Sequence, residues 1–554
     1  MDRKSEDTHV HPVTSKLEEP HHIEDSNDVT KHDLTQEAAA EHIKLEQNLS
    51  TWASIKLYRK AVFWACMMSM TLVMEGYDKA LIGNFWALSA FAERYGVYVP
   101  ATGTYTVEAK WQSGITNATT VASFIGIFLG GYQIDYFGYR KTVLANVAFM
   151  IPCIAIVTFA PNKIALLFGE MLCGFPWGVL ASLGPAYASE VAPIHLRAYL
   201  TTYVNLCWVM GQFIASGVVL GISDRTDQWA YRIPFAIQWI WPLIIIPILW
   251  FAPESPWWYV RKGRLDEAEH SVRRLAAPSL RDEARQTVAM MVKTNQLEIE
   301  NMAGERTGWL DCFRGTDLRR TEISTLTWAT QVIGGGHFSA YLVYFFRQAG
   351  LASSDAFKMG LGNTGCAFLG TILSWFLIKK FGRRPIFVTG LLWMSSLWFI
   401  TGGLAVVALN GNGQAKWGQA ALMLVWVMSY DMTIGPLAYC IVGETSSTRL
   451  RNKTVGLSRN AFYLAQIVSA TISPYMINPL AWNWQGKAGF LWGPLSLIMA
   501  IWAFFRLPEM KGRSYYELDI LFERRISARK FAKTVVDPEA VERARNDQEG
   551  RLEH

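Results

Sequence analysis

The sequence predicts an all-α membrane protein in which twelve transmembrane helices are divided between two duplicated halves. Three observations carry this: an apolar composition, twelve apolar blocks of membrane-spanning length, and two charged strings that each occur twice in the same order. The hydrophobic share is 51%, the charged share 18% and the mean hydropathy +0.14, with 23 Trp. A soluble chain of this size rarely shows that profile. A hydrocarbon core of about 30 Å takes roughly 20 apolar residues per helix. Blocks of that length lie near residues 61–82, 112–133, 142–160, 164–188, 199–221, 233–251, 322–346, 357–378, 386–409, 417–442, 455–475 and 486–506. An even number of crossings puts both termini on one side.

The first repeated string is E-V-A-P-I-H-L-R, from Glu190 to Arg197, with the counterpart E-T-S-S-T-R-L-R from Glu444 to Arg451. Each follows an apolar stretch containing a Gly-Pro pair, Gly184-Pro185 or Gly435-Pro436. The second is G-Y-Q-I-D-Y-F-G-Y-R-K, from Gly131 to Lys141, matched by a string ending K-K-F-G-R-R-P from Lys379 to Pro385. Two halves with the same charged loops in the same order indicate duplication, which is how many membrane transporters are built.

Basic residues set the orientation. The loops after the second, fourth, eighth and tenth blocks hold Arg140, Lys141, Arg197, Lys379, Lys380, Arg383, Arg384, Arg449, Arg451 and Lys453. The opposite loops hold little beyond Lys163, Lys416 and Lys487. The positive-inside rule places the basic loops and both termini in the cytosol. The net charge of +6 and the isoelectric point near 8.8 follow from this bias. They imply anionic lipid at the inner surface as a partner, and no nucleic acid.

The domain plan has five parts. Residues 1–55 are a polar tail, expected to be disordered and without the apolar core of a signal peptide. Residues 56–251 form the N-terminal helical half, 252–320 a charged cytosolic linker, 321–507 the C-terminal half and 508–554 a cytosolic tail. Within the linker, Leu265, Ala268, Val272 and Leu275 recur at three or four residues, the pattern of an amphipathic helix lying on the cytosolic face. The seven Cys lack a C-x-x-C pair and mostly sit inside apolar blocks, so they are assigned to helix packing. The Asn117 glycosylation triplet falls within a predicted helix and is discounted.

These strings resemble the sugar porter branch of the major facilitator superfamily, and within it the fungal α-glucoside:proton symporters, the maltose permease group. The likeness is carried by E-G-Y-D-K-A-L-I-G from Glu75, P-W-G-V-L-A-S-L-G-P-A-Y-A-S-E-V-A-P from Pro176, and Q-W-I-W-P from Gln238. F-A-P-E-S-P-W-W-Y-V-R-K-G-R from Phe251, C-I-V-G-E from Cys440, P-Y-M-I-N-P-L-A-W-N-W from Pro474 and L-P-E-M-K-G-R-S from Leu507 extend it. The resemblance covers roughly residues 55–535 and implies two six-helix bundles around a central cavity, working by alternating access. It gives the charged loops a mechanical role as gates: Asp135, Arg140, Glu190 and Arg197 in one half, and Arg383, Arg384, Glu444 and Arg451 in the other. The alternative is that the positive residues only orient the helices. Lys379 stands where the first half has Asp135, so the two sets are not equivalent.

An ionisable side chain at bilayer depth is costly unless it faces a cavity or a partner, which makes each one a functional candidate. Glu75 and Asp78 are three residues apart on one helical face. Desolvation and mutual repulsion both favour a protonated carboxyl there, so Asp78 is assigned as the proton carrier and Glu75 as its modulator. Glu170 and Arg459 complete the coupling set. In hexose symporters of the superfamily the first-span aspartate has an arginine partner on the fourth span. Here that position is Glu170, which removes the usual partner, while Arg459 matches an arginine of the α-glucoside group and is expected to pair with an acid.

A sugar offers hydroxyls and a weakly apolar ring face, which suits amides and hydroxyl-bearing aromatics. The resemblance assigns Gln212 in M-G-Q-F and Gln331 in T-Q-V-I-G-G-G-H-F-S-A-Y to sugar binding, with Tyr439 where many hexose porters have tryptophan. Packing between helices is the alternative for the two glutamines. His337 and Asp431 are further candidates for contact with substrate. The three glycines after Gln331 imply a wider pocket, better suited to a disaccharide than to glucose. The sequence holds no nucleophile, base and oxyanion set outside these strings, so an enzyme is not expected, and no cofactor or metal is implied. Sugar and protons are the expected ligands of a monomer in the plasma membrane. Monosaccharides, polyols or other metabolites, and facilitation or export, remain the rival readings.

Overall fold

A computed structural model describes residues 55–534, except 101–102, 192–193, 278–280, 282–283, 304–308, 349, 410–412, 448–449, 512 and 514. The expectations for the N-terminal tail and for residues 535–554 lie outside the described residues, as do the side chains of Arg197 and Arg451.

Among the described residues, nine helices are long and apolar enough to cross a membrane. The three remaining predicted blocks are helical but fall short for visible reasons. The first is divided at Met70 into helices Arg59–Ser69 and Thr71–Phe85. The seventh comprises Gly315–Ile333, a 3-10 turn Gly336–Tyr341 and Leu342–Gln348. The eleventh, Arg451–Ile477, is continuous but carries Arg459, Asn460 and Gln466 along its length.

The interruption of the seventh block follows from its sequence. Gly335 takes a left-handed backbone with φ 92°, which only glycine adopts without strain. The helix thereby loses backbone partners, and neighbours supply them: Trp398 Nε1 and the Ser496 hydroxyl both donate to the Gly334 carbonyl, at 3.0 and 3.1 Å. Such repair is what permits broken helices at membrane depth. The tenth block breaks at Thr433, between Gly413–Met432 and Ile434–Thr445. Pro436 lacks the N–H that would have continued the ladder.

Packing repeats between the halves. Helix Thr71–Phe85 packs on Ile194–Ile222 as Gly315–Ile333 packs on Arg451–Ile477, and Ala109–Phe137 packs on Lys163–Val191 as Ser353–Lys380 packs on Gly413–Met432. Ala109–Phe137 also meets Arg451–Ile477 across the halves, and Ile194–Ile222 meets Ser353–Lys380. Close helix approach depends on small residues. A Cβ on Gly76 would lie 2.0 Å from the Trp208 carbonyl oxygen, and one on Gly211 would lie 2.0 Å from that of Val73.

The connection between the halves contains helices Pro256–Arg261, Leu265–Leu275 and Ala284–Ala303, which pack on one another. Of the predicted apolar face, Ala268, Val272 and Leu275 are buried. Leu265 is 45% exposed, because it opens the helix before its neighbours cover that turn. Beyond the last span, helix Tyr515–Glu523 and the turn Ala528–Lys533 fold against the start of Gly315–Ile333. Asp519 pairs with Arg320 at 2.7 Å, and Arg319 donates to the Ile526 carbonyl.

Substituting Gly211→Leu forces apart two backbones already in contact. Overpacking of this kind costs about 1–3 kcal/mol or more, so the variant is expected to lose its monodisperse peak in size-exclusion chromatography of detergent-solubilised protein.

Candidate functional site

One central cavity gathers Asp78, Glu170, Gln212, Gln331, His337, Asp431, Tyr439 and Arg459 in its wall. Every candidate assigned to coupling or sugar binding is therefore present except Glu75, which lies one turn away on the same helix as Asp78, fully buried. Residues from both halves contribute.

The Asp78 carboxylate accepts hydrogen bonds from Gln238 Nε2 at 2.7 Å and from Trp177 Nε1 at 3.2 Å. Gln238 occupies the join between helices Trp229–Ile237 and Ile240–Trp250. Each bond to a charged acceptor contributes about 1.5–3 kcal/mol, so two neutral donors replace the missing arginine. Glu170 is buried, accepts weakly from the Thr119 hydroxyl at 3.4 Å, and has a second oxygen with no partner among the described residues.

Glu75 pairs with Lys79 at 2.5 Å. Sequence reasoning passed over Lys79, although it stands within E-G-Y-D-K and four residues after Glu75, the spacing at which such pairs form. Arg459 does not take the acid partner expected of it. Its guanidinium lies over the rings of Phe462 at 4.8 Å, Tyr463 at 5.1 Å and Trp328 at 5.4 Å, and no carboxylate among the described residues comes within ion-pair distance. Ring faces attract a desolvated cation well enough to hold it without a carboxylate.

The two glutamines differ. Gln331 donates to the Gly435 carbonyl at 3.0 Å, tying the seventh block to the start of helix Ile434–Thr445. Gln212 is half-buried, makes no hydrogen bond to the described residues and is free to face the cavity. Tyr439 packs edge-on to Trp328, with ring centroids 5.7 Å apart. His337 sits in the 3-10 turn with Nδ1 3.5 Å from the Gln466 amide, its Nε2 unpartnered among the described residues. Asp431 faces Asn205 and Thr371, one from each half, which sequence reasoning did not connect to it.

Bonds between the halves close the cavity at the end away from the charged loops. Asn117 donates to Thr471 Oγ1 at 2.7 Å, Asn478 to the Val107 carbonyl at 2.9 Å, and Arg347 to the Ala87 carbonyl. Gly83 abuts the Ala340 carbonyl.

At the charged-loop end the described pairings join each half to itself or to the connecting segment, not to the other half. Glu190 bonds Arg261 at 2.8 Å, the Tyr139 hydroxyl at 2.9 Å and the Ser255 hydroxyl. Arg140 instead lies over the Trp250 ring, and Asp135 makes no ion pair among the described residues. In the second half, Arg383 grips Glu444 through two bonds at 2.7 and 3.1 Å, while Arg384 donates to the Phe504 carbonyl. No ion pair crosses between the halves at this end among the described residues.

Two acids that sequence reasoning left out complete the arrangement. Glu254 accepts from the backbone N–H groups of Tyr139 and Arg140 at 2.8 and 3.0 Å, and Glu509 from those of Arg383 and Arg384 at 2.9 and 3.1 Å. Each carboxylate caps a helix N-terminus, where the orphan N–H groups and the dipole favour negative charge. Gly138 and Gly382 leave room for them: a Cβ would stand 2.6 Å from Glu254 and 2.0 Å from Glu509. The signal was a third repeat, a Pro-Glu pair directly after each half, at Pro253-Glu254 and Pro508-Glu509.

The profile of the family described as "Sugar (and other) transporter" matches residues 64–522. The chain belongs to this family. A maltose permease of Saccharomyces cerevisiae is 37% identical over 530 residues, covering 94% of this chain and 86% of that protein. A general alpha-glucoside permease of the same species is 35% identical over 517 residues, covering 92% and 82%. Among solved structures, the proton:xylose symporter XylE matches with a TM-score of 0.69 at 20% identity, over 85% of this chain and 100% of that one. A partially occluded inward-open form of XylE from E. coli gives 0.65 over 83% and 100%. The fold is thus that of the major facilitator superfamily, and the chain is a multi-pass sugar transporter rather than an enzyme.

Within this family site, the two glutamines separate by measurement. Gln331→Leu removes the bond to the Gly435 carbonyl that joins the seventh and tenth blocks and is expected to lower stability by about 0.5–1.5 kcal/mol, seen as a lower Tm. Gln212→Ala is expected to leave Tm unchanged and to raise KM for sugar about tenfold or more.

Proposed function

We propose that this protein imports an α-linked glucose disaccharide such as maltose together with a proton across the plasma membrane. Twelve helices form two six-helix bundles, with the charged loops, the linker and both termini in the cytosol, and a monomer is the working unit. The observation that carries this reading is the meeting of buried carboxyls, amides and hydroxyl-bearing rings in one cavity shared by both halves. The identity to maltose and alpha-glucoside permeases over most of the chain supports the choice of substrate.

The chemistry follows from the wall. Asp78 takes a proton from the outer medium as a neutral acid and returns it inside as a carboxylate held by Gln238 and Trp177. Gln212, His337, Tyr439 and Asp431 offer donors and acceptors to sugar hydroxyls, with Gln331 shaping the wall from behind. Arg459 supplies a fixed positive field, and Glu170 a second acid facing Asp78. Sealing at the end away from the basic loops supports an inward-facing conformation, in which Glu190 and Arg383–Glu444 brace the halves separately. One charge moved through 100 mV is worth about 2.3 kcal/mol, roughly a fifty-fold accumulation of sugar, so a single coupled proton suffices for uphill uptake.

Two outcomes test the assignment in transport-deficient yeast expressing the protein. Labelled maltose is expected to accumulate against its gradient, and a protonophore to abolish the accumulation; indifference to the protonophore overturns the coupling. Asp78→Asn is expected to lose accumulation while retaining exchange of internal for external sugar, and full accumulation in that variant removes Asp78 as the carrier.

A further inference from the structure

We infer that Lys79 sets the number of protons moved per sugar, by pinning Glu75 as a permanent carboxylate so that Asp78 alone exchanges a proton at this face of the first span. The inference rests on the proton-coupled reading above. Its basis is the placement of three charges, Glu75, Asp78 and Lys79, within five residues. Glu75 is fully buried, and its Oε1 lies 2.5 Å from Lys79 Nζ. Its other oxygen has no partner among the described residues, so the ammonium is its single strong contact. The pair is local, four residues apart on one helix, with the acid N-terminal to the base, the favourable order. It therefore travels with its helix and needs no contact from the opposite half to persist through a rocking motion.

The Lys79 side chain is 20% exposed and reaches the cavity wall, whereas Glu75 does not line it. Its ammonium also stands 5.9 Å from the centre of the Tyr463 ring. Other charged or titratable groups facing the pair are Asp78 on the same helix, Arg459 and Tyr463 on helix Arg451–Ile477, Tyr439 on Ile434–Thr445, and His337 in the broken seventh block. Of these only Asp78 is an acid of ordinary strength, and its oxygens are taken by Gln238 and Trp177. The two carboxyls thus have separate supports: a fixed cation for one and neutral donors for the other. A buried carboxylate that loses its ion-pair partner takes up a proton more readily, and Arg459, held by its ring faces, makes no ion pair that would replace Lys79. Without Lys79, Glu75 becomes a second proton carrier.

The test is the ratio of proton influx to maltose uptake, measured in proteoliposomes containing the full-length protein by an internal pH dye and labelled sugar. Wild type is expected to give a ratio near one and Lys79→Arg, which keeps the pair, the same. Lys79→Gln is expected to raise the ratio toward two, with uptake falling more steeply as external pH rises. Glu75→Gln alone strands an ammonium and is expected to cut uptake at least tenfold, and Glu75→Gln combined with Lys79→Gln to restore both uptake and a ratio near one. A Lys79→Gln protein with the wild-type ratio overturns the inference. If Lys79→Gln does not fold, failure of the double variant to recover overturns it as well. Wild-type uptake without proton influx instead removes the coupled reading, and this inference falls with it.

Discussion

Burying a charge in a membrane is the constraint on which this architecture depends. An ionised side chain surrounded by hydrocarbon is expelled unless something answers its charge or water reaches it. Most buried charges here are answered one by one, while Glu170 has only a weak hydroxyl contact. Glu75 has an ammonium, Asp78 two neutral donors, Arg459 a set of aromatic faces, and Asp431 an amide and a hydroxyl from opposite halves. The cavity is the place where these solutions converge. It exists because helices that would otherwise close over one another are broken at Gly335 and Thr433 or carry polar residues along their length.

Duplication supplies the frame around that cavity. The same helix pairs meet in each half, and the same device secures the charged-loop end of each: a glycine that leaves space, an acid from beyond the last span that fills it, and two backbone N–H groups that hold the acid. An added methyl group at Gly382 would strike the carboxylate that caps the following helix. The repeated strings are therefore remnants of a common mechanical joint.

Much of this was legible in the sequence because membrane spans and duplicated strings are local signals. The apolar blocks, the charged loops and the acids at bilayer depth followed from period and composition, and eight of the nine residues assigned to coupling and binding line one cavity. What escaped was long-range or competitive. The link from Gln238 to Asp78 spans 160 residues, and the caps at Glu254 and Glu509 reach back over more than a hundred. Arg459 was expected to seek an acid, yet three ring faces within reach answered its charge first. Glu75 was read against Asp78, three residues away, while Lys79 at four residues offered the opposite charge. Gln331 pointed to sugar by likeness alone, whereas its amide is held by the Gly435 carbonyl, 104 residues away.

The separation of the ionic contacts from the seam between the halves has a kinetic consequence. Glu444 holds an arginine of its own half and Glu190 one from the connecting segment, while the seal opposite them is made of amide, hydroxyl and carbonyl groups together with the Arg347 guanidinium. Mobile ions screen exposed charges but leave neutral dipoles nearly untouched. Opening that seal parts mainly dipolar contacts, so ionic strength acts on it chiefly through the guanidinium of Arg347.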